Sequence, residues 1–124
     1  MNIGEENTRY FELVNEFCDR EFTDEEYEFF ENKLKERIRS GEELTTGEIS
    51  AAIDMYYFED GDTLEVGRHN WALVERILKI DENEFYRFNV WAHDDAGDEY
   101  DEQAAKKVVL KPVEVLKWVE VENG

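Results

Sequence analysis

The chain has 124 residues, the size of one common domain, and its 41% hydrophobic content includes eight Phe, six Tyr and three Trp. That apolar content is sufficient for one folded core, which excludes an intrinsically disordered chain. Thirty-three Asp and Glu against fourteen Lys and Arg give a formal charge of -19, whereas about 2 to 8 charges suit a small soluble domain. Because like charges oppose compaction, the excess indicates either a saline cytoplasm or a cationic partner, and the many aromatic residues favour the partner.

The sequence predicts a cytoplasmic protein. The first ten residues lack the basic and apolar regions of a signal peptide, and no apolar run approaches the roughly 20 residues of a membrane span. A single cysteine, Cys18, excludes an internal disulfide and fits a reducing compartment. We expect Cys18 on the apolar face of the first helix, beside Val14 and Phe17.

The first half of the chain, about residues 5–58, is predicted to form three helices. Helical spacing of apolar residues predicts the first over Thr8–Arg20. Capping boxes at Thr23 and Thr45, each followed by Glu three residues later, begin the second and third helices. Gly41 ends the second helix, and the third ends before Glu59. The apolar stripe of the second helix consists of Tyr27, Phe30, Leu34 and Ile38.

The second half, about residues 63–122, is predicted to form strands. Trp71–Ile80 and Glu84–Ala92 flank turn-forming residues and indicate a hairpin. Lys107–Leu110 and Val113–Val121 are further predicted strands, separated by Pro112, which is expected at an edge or bend. The chain is therefore predicted to be one α+β domain, with about three N-terminal helices followed by an antiparallel β-meander of three to five strands.

Acidic residues concentrate in three segments. The start of the second helix is one, and capping and the helix dipole explain it. The other two are a loop with Asp94, Asp95, Asp98, Glu99, Asp101 and Glu102, and a segment with Glu59, Asp60, Asp62 and Glu65. Six like charges in one loop repel one another, and none of them caps a helix, although charge runs are often only solvated. We therefore predict that the 94–102 loop binds a partner, with Glu59, Asp60 and Asp62 as a second contact.

Ordered carboxylates are able to imitate nucleic acid. Duplex DNA carries one negative charge per roughly 1.7 Å of its axis. Residues on one face of a strand lie roughly 6.6 Å apart, and helix neighbours lie about 5–6 Å apart. Rows of carboxylates therefore approximate the spacing of successive phosphates, and a protein that grips phosphates with Lys and Arg does not easily reject them.

Other classes of function have less support. The EF-hand pattern is absent because Gly97 comes too early, so a calcium-dependent module is a minor alternative. His69, His93 and Cys18 lack ligand spacing, and no metal or other cofactor is predicted. No phosphate loop or nucleophile elbow is present, so the chain is not predicted to be an enzyme. Segment 41–53 has a residue pattern similar to that of a helix-turn-helix. Its charged side chains are acidic and would repel DNA, so no direct nucleic-acid binding is predicted.

The acidic aromatic segment 22–30 (FTDEEYEFF) and the aromatic strands 71–80 and 84–92 resemble small acidic proteins of phages and plasmids of Gram-positive bacteria. That group includes anti-CRISPR proteins, which inhibit the type II effector nuclease. These inhibitors share no common fold, so the resemblance transfers no residue by position. It implies a mechanism class and a partner, the CRISPR effector nuclease with its guide RNA, in the cytoplasm of the bacterial host.

Within that group, several inhibitors occupy the basic groove that reads the short DNA motif beside the target, where paired arginines contact guanines. Binding elsewhere, so as to hinder guide loading or cleavage, is the second possibility. The rival from another class is a non-enzymatic adaptor of a phage or plasmid that binds through an apolar sheet face. The sequence leaves the oligomeric state open.

Overall fold

The computed structural model of the protein describes residues 2–121. Its helices are α1 (Ile3–Glu16), α2 (Asp24–Ser40) and α3 (Thr46–Tyr56). Its strands are β1 (Glu43–Leu44), β2 (Tyr57–Val66), β3 (Trp71–Asp81), β4 (Glu84–His93), β5 (Gly97–Glu99), β6 (Gln103–Ala104) and β7 (Lys106–Val108). The predicted α+β class, with helices first and an antiparallel sheet after them, is confirmed. No helix among the described residues is both long and apolar enough to cross a membrane.

Side chains at the helix starts determine where each helix begins. Thr23 and Thr45 accept from the amides three residues on, and the Glu side chains at those positions reach back, so both predicted capping boxes are present. Asn2 caps α1 by accepting from the Glu5 amide at 2.8 Å, which places that helix start earlier than the predicted Thr8. Gly41, with φ of 75°, ends α2 in the left-handed conformation that glycine adopts without steric cost.

The main sheet is antiparallel, in the order β2-β3-β4-β5, and β7 also pairs with β4. The predicted hairpin of β3 and β4 is confirmed, with its register running from Trp71 opposite His93 to Asp81 opposite Glu84. Strands β1 and β6 form a separate two-stranded pair. The three helices cover one face of the sheet near the β3–β4 turn, where Leu78 is fully buried. The core residues are Tyr10, Leu13, Phe30, Leu34, Ile38, Ile49, Leu78, Ile80, Tyr86, Phe88 and Val90, with smaller neighbours.

A buried carboxylate links the three helices. The Glu48 side chain in α3 is 0% exposed and accepts hydrogen bonds from Arg37 of α2 at 3.0 and 3.1 Å and from the Tyr10 hydroxyl of α1 at 2.7 Å. The Thr45 amide donates a further bond at 3.0 Å. Burial favours the neutral acid, but the bonds from Arg37, Thr45 and Tyr10 outweigh it and hold the pKa of Glu48 below its usual value.

Two strand predictions are wrong. Residues 57–66 form β2, although the sequence extended the helical part to about residue 58 and began the strands at about residue 63; pairing with β3 overrides the low strand propensity of the acids and glycine in this segment. Residues 113–121 form no strand, and the sheet ends at Val108 rather than near residue 122. The reason is geometric. Val108 pairs with Phe85, and β4 begins at Glu84, so the chain beyond Val108 has left its partner strand.

The expectation for Cys18 is also wrong. Helix α1 ends at Glu16, and Cys18 lies in the following turn with its side chain exposed. Phe17, Phe22 and Phe30 pack against one another at this corner, with ring centroids 5.3 to 5.8 Å apart. These rings occupy the apolar space, and the thiol faces solvent.

We predict that Glu48→Ala lowers the free energy of unfolding at pH 7 by about 3 kcal/mol, because it breaks a buried, fully hydrogen-bonded ion pair. Chemical denaturation measures the change. The matched control is Glu36→Ala, which removes an exposed carboxylate 3.8 Å from Lys33 and should change stability by less than about 1 kcal/mol. Equal effects of the two substitutions would contradict the linking role of Glu48.

We predict a pH-dependent role for Glu84. Hydrogen bonds from Arg39, with a further bond from Tyr86, outweigh the opposing effect of burial and lower the pKa of Glu84 to about 2. Because the pKa of Glu84 in the folded protein lies below the ordinary value of 4.5, this stabilisation is complete above pH 4.5 and is lost as pH falls towards 2. Arg39→Gln should therefore destabilise the fold at pH 6 and have a diminishing effect towards pH 2. A difference in denaturation midpoint that is constant over this range would contradict the assignment.

Candidate acidic interface

The 94–102 loop lies at the end of the sheet that the helices leave uncovered. Asp94 and Asp95 occupy the turn between β4 and β5, Asp98 and Glu99 belong to β5, and the remaining two acids lie between β5 and β6. Strand β5 pairs antiparallel with the last three residues of β4. Part of the predicted loop is therefore an edge strand, and its carboxylates have defined positions.

Local hydrogen bonds fix the turn. The His93 Nδ1 accepts from the backbone amides of Asp95 and Ala96, each at 3.0 Å. Gly97 has φ of 86° with open space around it, a conformation that glycine adopts without strain. These contacts hold the first two carboxylates at the tip of the β4–β5 hairpin.

The far end of the loop is anchored to β4. The Gln103 side chain accepts from the Asn89 amide at 2.9 Å and donates to the Asn89 carbonyl oxygen at 2.9 Å. Tyr100 is partly buried and packs against the core. The acidic segment is therefore held at both ends, which reduces the entropy lost when a partner binds it.

One arginine joins the two acidic segments that the sequence singled out. The Arg76 side chain in β3, 14% exposed, donates to Asp60 of β2 at 2.7 Å and to Asp98 of β5 at 2.8 Å. The Tyr57 hydroxyl donates to the same Asp60 carboxylate at 2.8 Å. Burial lowers the pKa of the Arg76 guanidinium, but the two carboxylates outweigh it and the pKa is raised overall. The fold thus brings together residues that are distant in sequence.

The structure does not place all predicted site residues on one face. Glu59 and Asp60 pair with adjacent residues of β3, so their side chains point to opposite faces of the sheet. The Asp62 amide donates to Glu75 at 3.0 Å, and the register between β2 and β3 shifts between Asp60 and Thr63. All nine predicted acids are exposed, and all except Asp60 and Asp98 lie, within residues 2–121, beyond ion-pair distance of any Lys or Arg. These seven are Glu59, Asp62, Asp94, Asp95, Glu99, Asp101 and Glu102.

More of the acids in the helical half form ion pairs with Lys or Arg. Glu26 forms ion pairs with Arg9 at 2.6 Å and Arg20 at 2.7 Å, and hydrogen bonds from Arg20 and the Thr23 amide lower its pKa to about 2. Glu31 pairs with Lys35. Eight of the sixteen acids in residues 2–56 form ion pairs, whereas five of the six acids in segment 94–102 form none. We call the nine carboxylates predicted above, with Arg76 between two of them, the acidic interface.

Sequence reasoning missed Arg76. Its position carries a signal, because Val74, Arg76 and Leu78 share one face of β3 and the other two are apolar. A charged residue in the inward-facing register of a strand indicates a partner carboxylate nearby. The identity of that partner depends on the fold and is not readable from spacing.

A second surface is the sheet face opposite the helices. Five of its side chains are large and apolar, partly exposed and absent from the core: Trp71, Leu73, Ile77, Phe85 and Trp91. The ion pair of Glu75 with Arg87, at 3.3 Å, lies among them. We call these five residues the apolar sheet face.

Within residues 2–121, no group of three or more His, Cys, Asp or Glu side chains converges to hold a metal ion. No protein-family model, curated protein sequence or solved structure matches this chain.

We predict that Arg76→Gln lowers the free energy of unfolding by about 1 to 2 kcal/mol, because it removes a partly buried guanidinium from two carboxylates. In a double-mutant cycle with Asp98→Asn, the coupling energy should be about 1 kcal/mol. Lys79→Gln, which removes a cation 3.9 Å from the exposed Glu82, is the control and should be nearly neutral. Additive effects of Arg76→Gln and Asp98→Asn would show that the contact does not join the two segments.

Proposed function

We propose that the protein is an acidic inhibitor that blocks the basic nucleic-acid-binding groove of a CRISPR effector nuclease by DNA mimicry. The observation that supports this proposal is the acidic interface. Five of its seven unpaired carboxylates lie on the anchored 94–102 segment at the uncovered end of the sheet, whereas half of the acids in residues 2–56 form ion pairs.

Ordered placement favours mimicry over a merely solvated charge run. The hairpin hydrogen bonds and the Gln103 anchor hold the carboxylates before binding, so a basic groove meets a preformed negative surface. The net charge of -19 would also steer the encounter over long range.

The nuclease class comes from the resemblance to anti-CRISPR proteins. The effector groove that reads the motif beside the target uses paired arginines, and carboxylates bind guanidinium groups through two parallel hydrogen bonds. Asp60 and Asp98 already bind one guanidinium, that of Arg76. The proposed complex places neighbouring carboxylates on the arginines of the partner in the same way.

We predict that neutralising the unpaired loop acids weakens inhibition of a type II effector nuclease with guide RNA by at least about tenfold, since several charge-assisted contacts are lost. The variant carries Asp94→Asn, Asp95→Asn, Glu99→Gln, Asp101→Asn and Glu102→Gln. It leaves Asp98 with Arg76. Its stability should be equal or higher, because repulsion is relieved. Inhibition is measured as cleavage of a target duplex against inhibitor concentration.

The matched control removes five exposed acids from elsewhere: Asp19→Asn, Glu21→Gln, Glu28→Gln, Glu43→Gln and Asp54→Asn. None of these residues forms an ion pair within the described part of the chain, and the change in net charge is the same. The control should inhibit nearly as well as the wild type. Equal inhibition by both variants, or equal losses in both, would remove the acidic interface from the mechanism.

A second candidate function is an adaptor that binds through the apolar sheet face, and the exposure of Trp71 and Trp91 outside the core favours it. Salt distinguishes the two candidates. Groove blocking weakens steeply as ionic strength rises, whereas burial of an apolar face does not. A complex that is unchanged between low and high salt and is lost in Trp91→Asp would favour the adaptor.

A further inference from the structure

One titratable side chain holds the turn that carries the first two acids of the 94–102 segment. His93 is the last residue of β4 and is half-buried, and its Nδ1 atom accepts hydrogen bonds from the amides of Asp95 and Ala96, each at 3.0 Å. The two amides share this single acceptor. Residues 94–97 are exposed, so the shape of the turn depends on these bonds more than on packing.

An imidazole nitrogen accepts a hydrogen bond only while it carries no proton. In the neutral ring one nitrogen donates and the other accepts, whereas both nitrogens donate in the protonated ring. The two amides that point at Nδ1 therefore require a neutral His93 ring whose proton is on Nε2. Protonation of Nδ1 would break both bonds at once and place one N–H group against two others.

The packing of the ring keeps Nδ1 directed at the turn. His93 lies opposite Trp71 of β3, and the two rings are in contact, with centroids 4.9 Å apart and planes tilted by 53°. Rotation of the imidazole out of this position would break the contact with Trp71. A flip of the ring within the contact would place a ring carbon at the position of Nδ1, so both hydrogen bonds would be lost in that case as well.

Few other contacts hold the turn together. Strand β5 pairs with β4 over three residues only, from Trp91 opposite Glu99 to His93 opposite Gly97. Gly97 has φ of 86°, and a side chain at this position would meet no other atom within 4 Å. A segment with few packed contacts and a short ladder opens at a low cost in free energy. Loss of the two bonds to His93 is therefore enough to release the turn.

The charged groups near His93 offer the protonated ring no replacement for these bonds. Its direct neighbours in the register, Trp71 of β3 and Gly97 of β5, are not ionisable. Within residues 2–121, no carboxylate lies at ion-pair distance from the ring. The nearest titratable residues along its own turn and along β5, β3, β2 and the loop between β2 and β3 are Asp94, Asp95, Asp98, Glu99, Glu75, Glu65, Arg68 and His69.

We propose that His93 is a proton-controlled latch of the acidic interface: the backbone of residues 94–97 is ordered while Nδ1 accepts from the two amides and is released when the ring gains a proton. Imidazole groups titrate between about pH 5 and 8, whereas Asp and Glu carboxylates ordinarily titrate at about pH 4. Mild acid therefore changes the order of the turn while its carboxylates stay charged. The inference concerns the fold of the turn and does not rest on the proposed function.

Nuclear magnetic resonance of the full-length protein tests the latch. At pH 8 the ring nitrogen shifts of His93 should show Nε2 protonated and Nδ1 free, and the amides of residues 94–97 should have order parameters of about 0.85, as in rigid backbone. As the His93 ring gains its proton, these order parameters should fall below about 0.6, the range of flexible backbone. The values for residues 74–88 of the β3–β4 hairpin should stay constant and serve as the internal reference.

Matched variants separate the ring from the general effect of acid. His93→Asn keeps a side-chain oxygen that accepts from nearby amides but does not titrate, so the turn should stay ordered at every pH. His69→Asn removes the other histidine of the chain at a position whose φ of 56° Asn tolerates, and it should keep the response of the wild type. His93→Leu removes the acceptor and should have a mobile turn already at pH 8.

The proposal is overturned by a proton on Nδ1 at pH 8, or by a turn that is equally ordered before and after His93 is protonated. It is also overturned if His93→Asn keeps the pH response of the wild type, if His69→Asn loses it, or if His93→Leu has an ordered turn at pH 8. All of these measurements are made on the isolated protein, so their outcome is independent of whether the protein inhibits a nuclease.

Discussion

The shortage of cations governs this structure. Thirty-three acids share fourteen Lys and Arg, so the position of each cation decides which carboxylates are neutralised and which remain. Ion pairs concentrate on the helical half, where Arg9 and Arg20 share Glu26 and Arg37 binds the buried Glu48. The uncovered end of the sheet keeps its unpaired carboxylates.

The arginine at the centre of the sheet connects folding to the proposed function. Arg76 binds one carboxylate from each of two strands and offsets only part of the charge of the acidic interface. It holds β2 and β5 in place while the neighbouring acids stay exposed. A structure in which each acid had its own cation would be less repulsive, but it would present no phosphate-like surface to a basic groove.

Local signals predicted most of the fold. The capping boxes at Thr23 and Thr45, the glycine after α2 and the apolar alternation of the β3–β4 hairpin act over a few residues, and the sequence displays them directly. Strand β2 escaped prediction because pairing with β3 overrides its composition. Residues 113–121 were predicted to be a strand because their valines favour one, whereas the described part of the chain offers them no partner strand. Nonlocal contacts decide both cases.

The candidate site was predictable as a set of residues but not as a surface. The high density of acids in segment 94–102 indicated the site. The fold shows in addition that Asp60 and Asp98 both bind Arg76 and that Glu59 points to the opposite face of the sheet. Sheet order and register produce these relations, and neither follows from spacing along the chain.

Competition for the effector tests the central claim most directly. The equilibrium affinity of the protein is measured for a type II effector nuclease with guide RNA, once free and once already bound to a target DNA duplex carrying the adjacent motif. If the acidic interface occupies the DNA groove, the free complex binds and the DNA-bound complex does not. Equal affinity for the two complexes, or binding to neither, would contradict DNA mimicry in this nuclease.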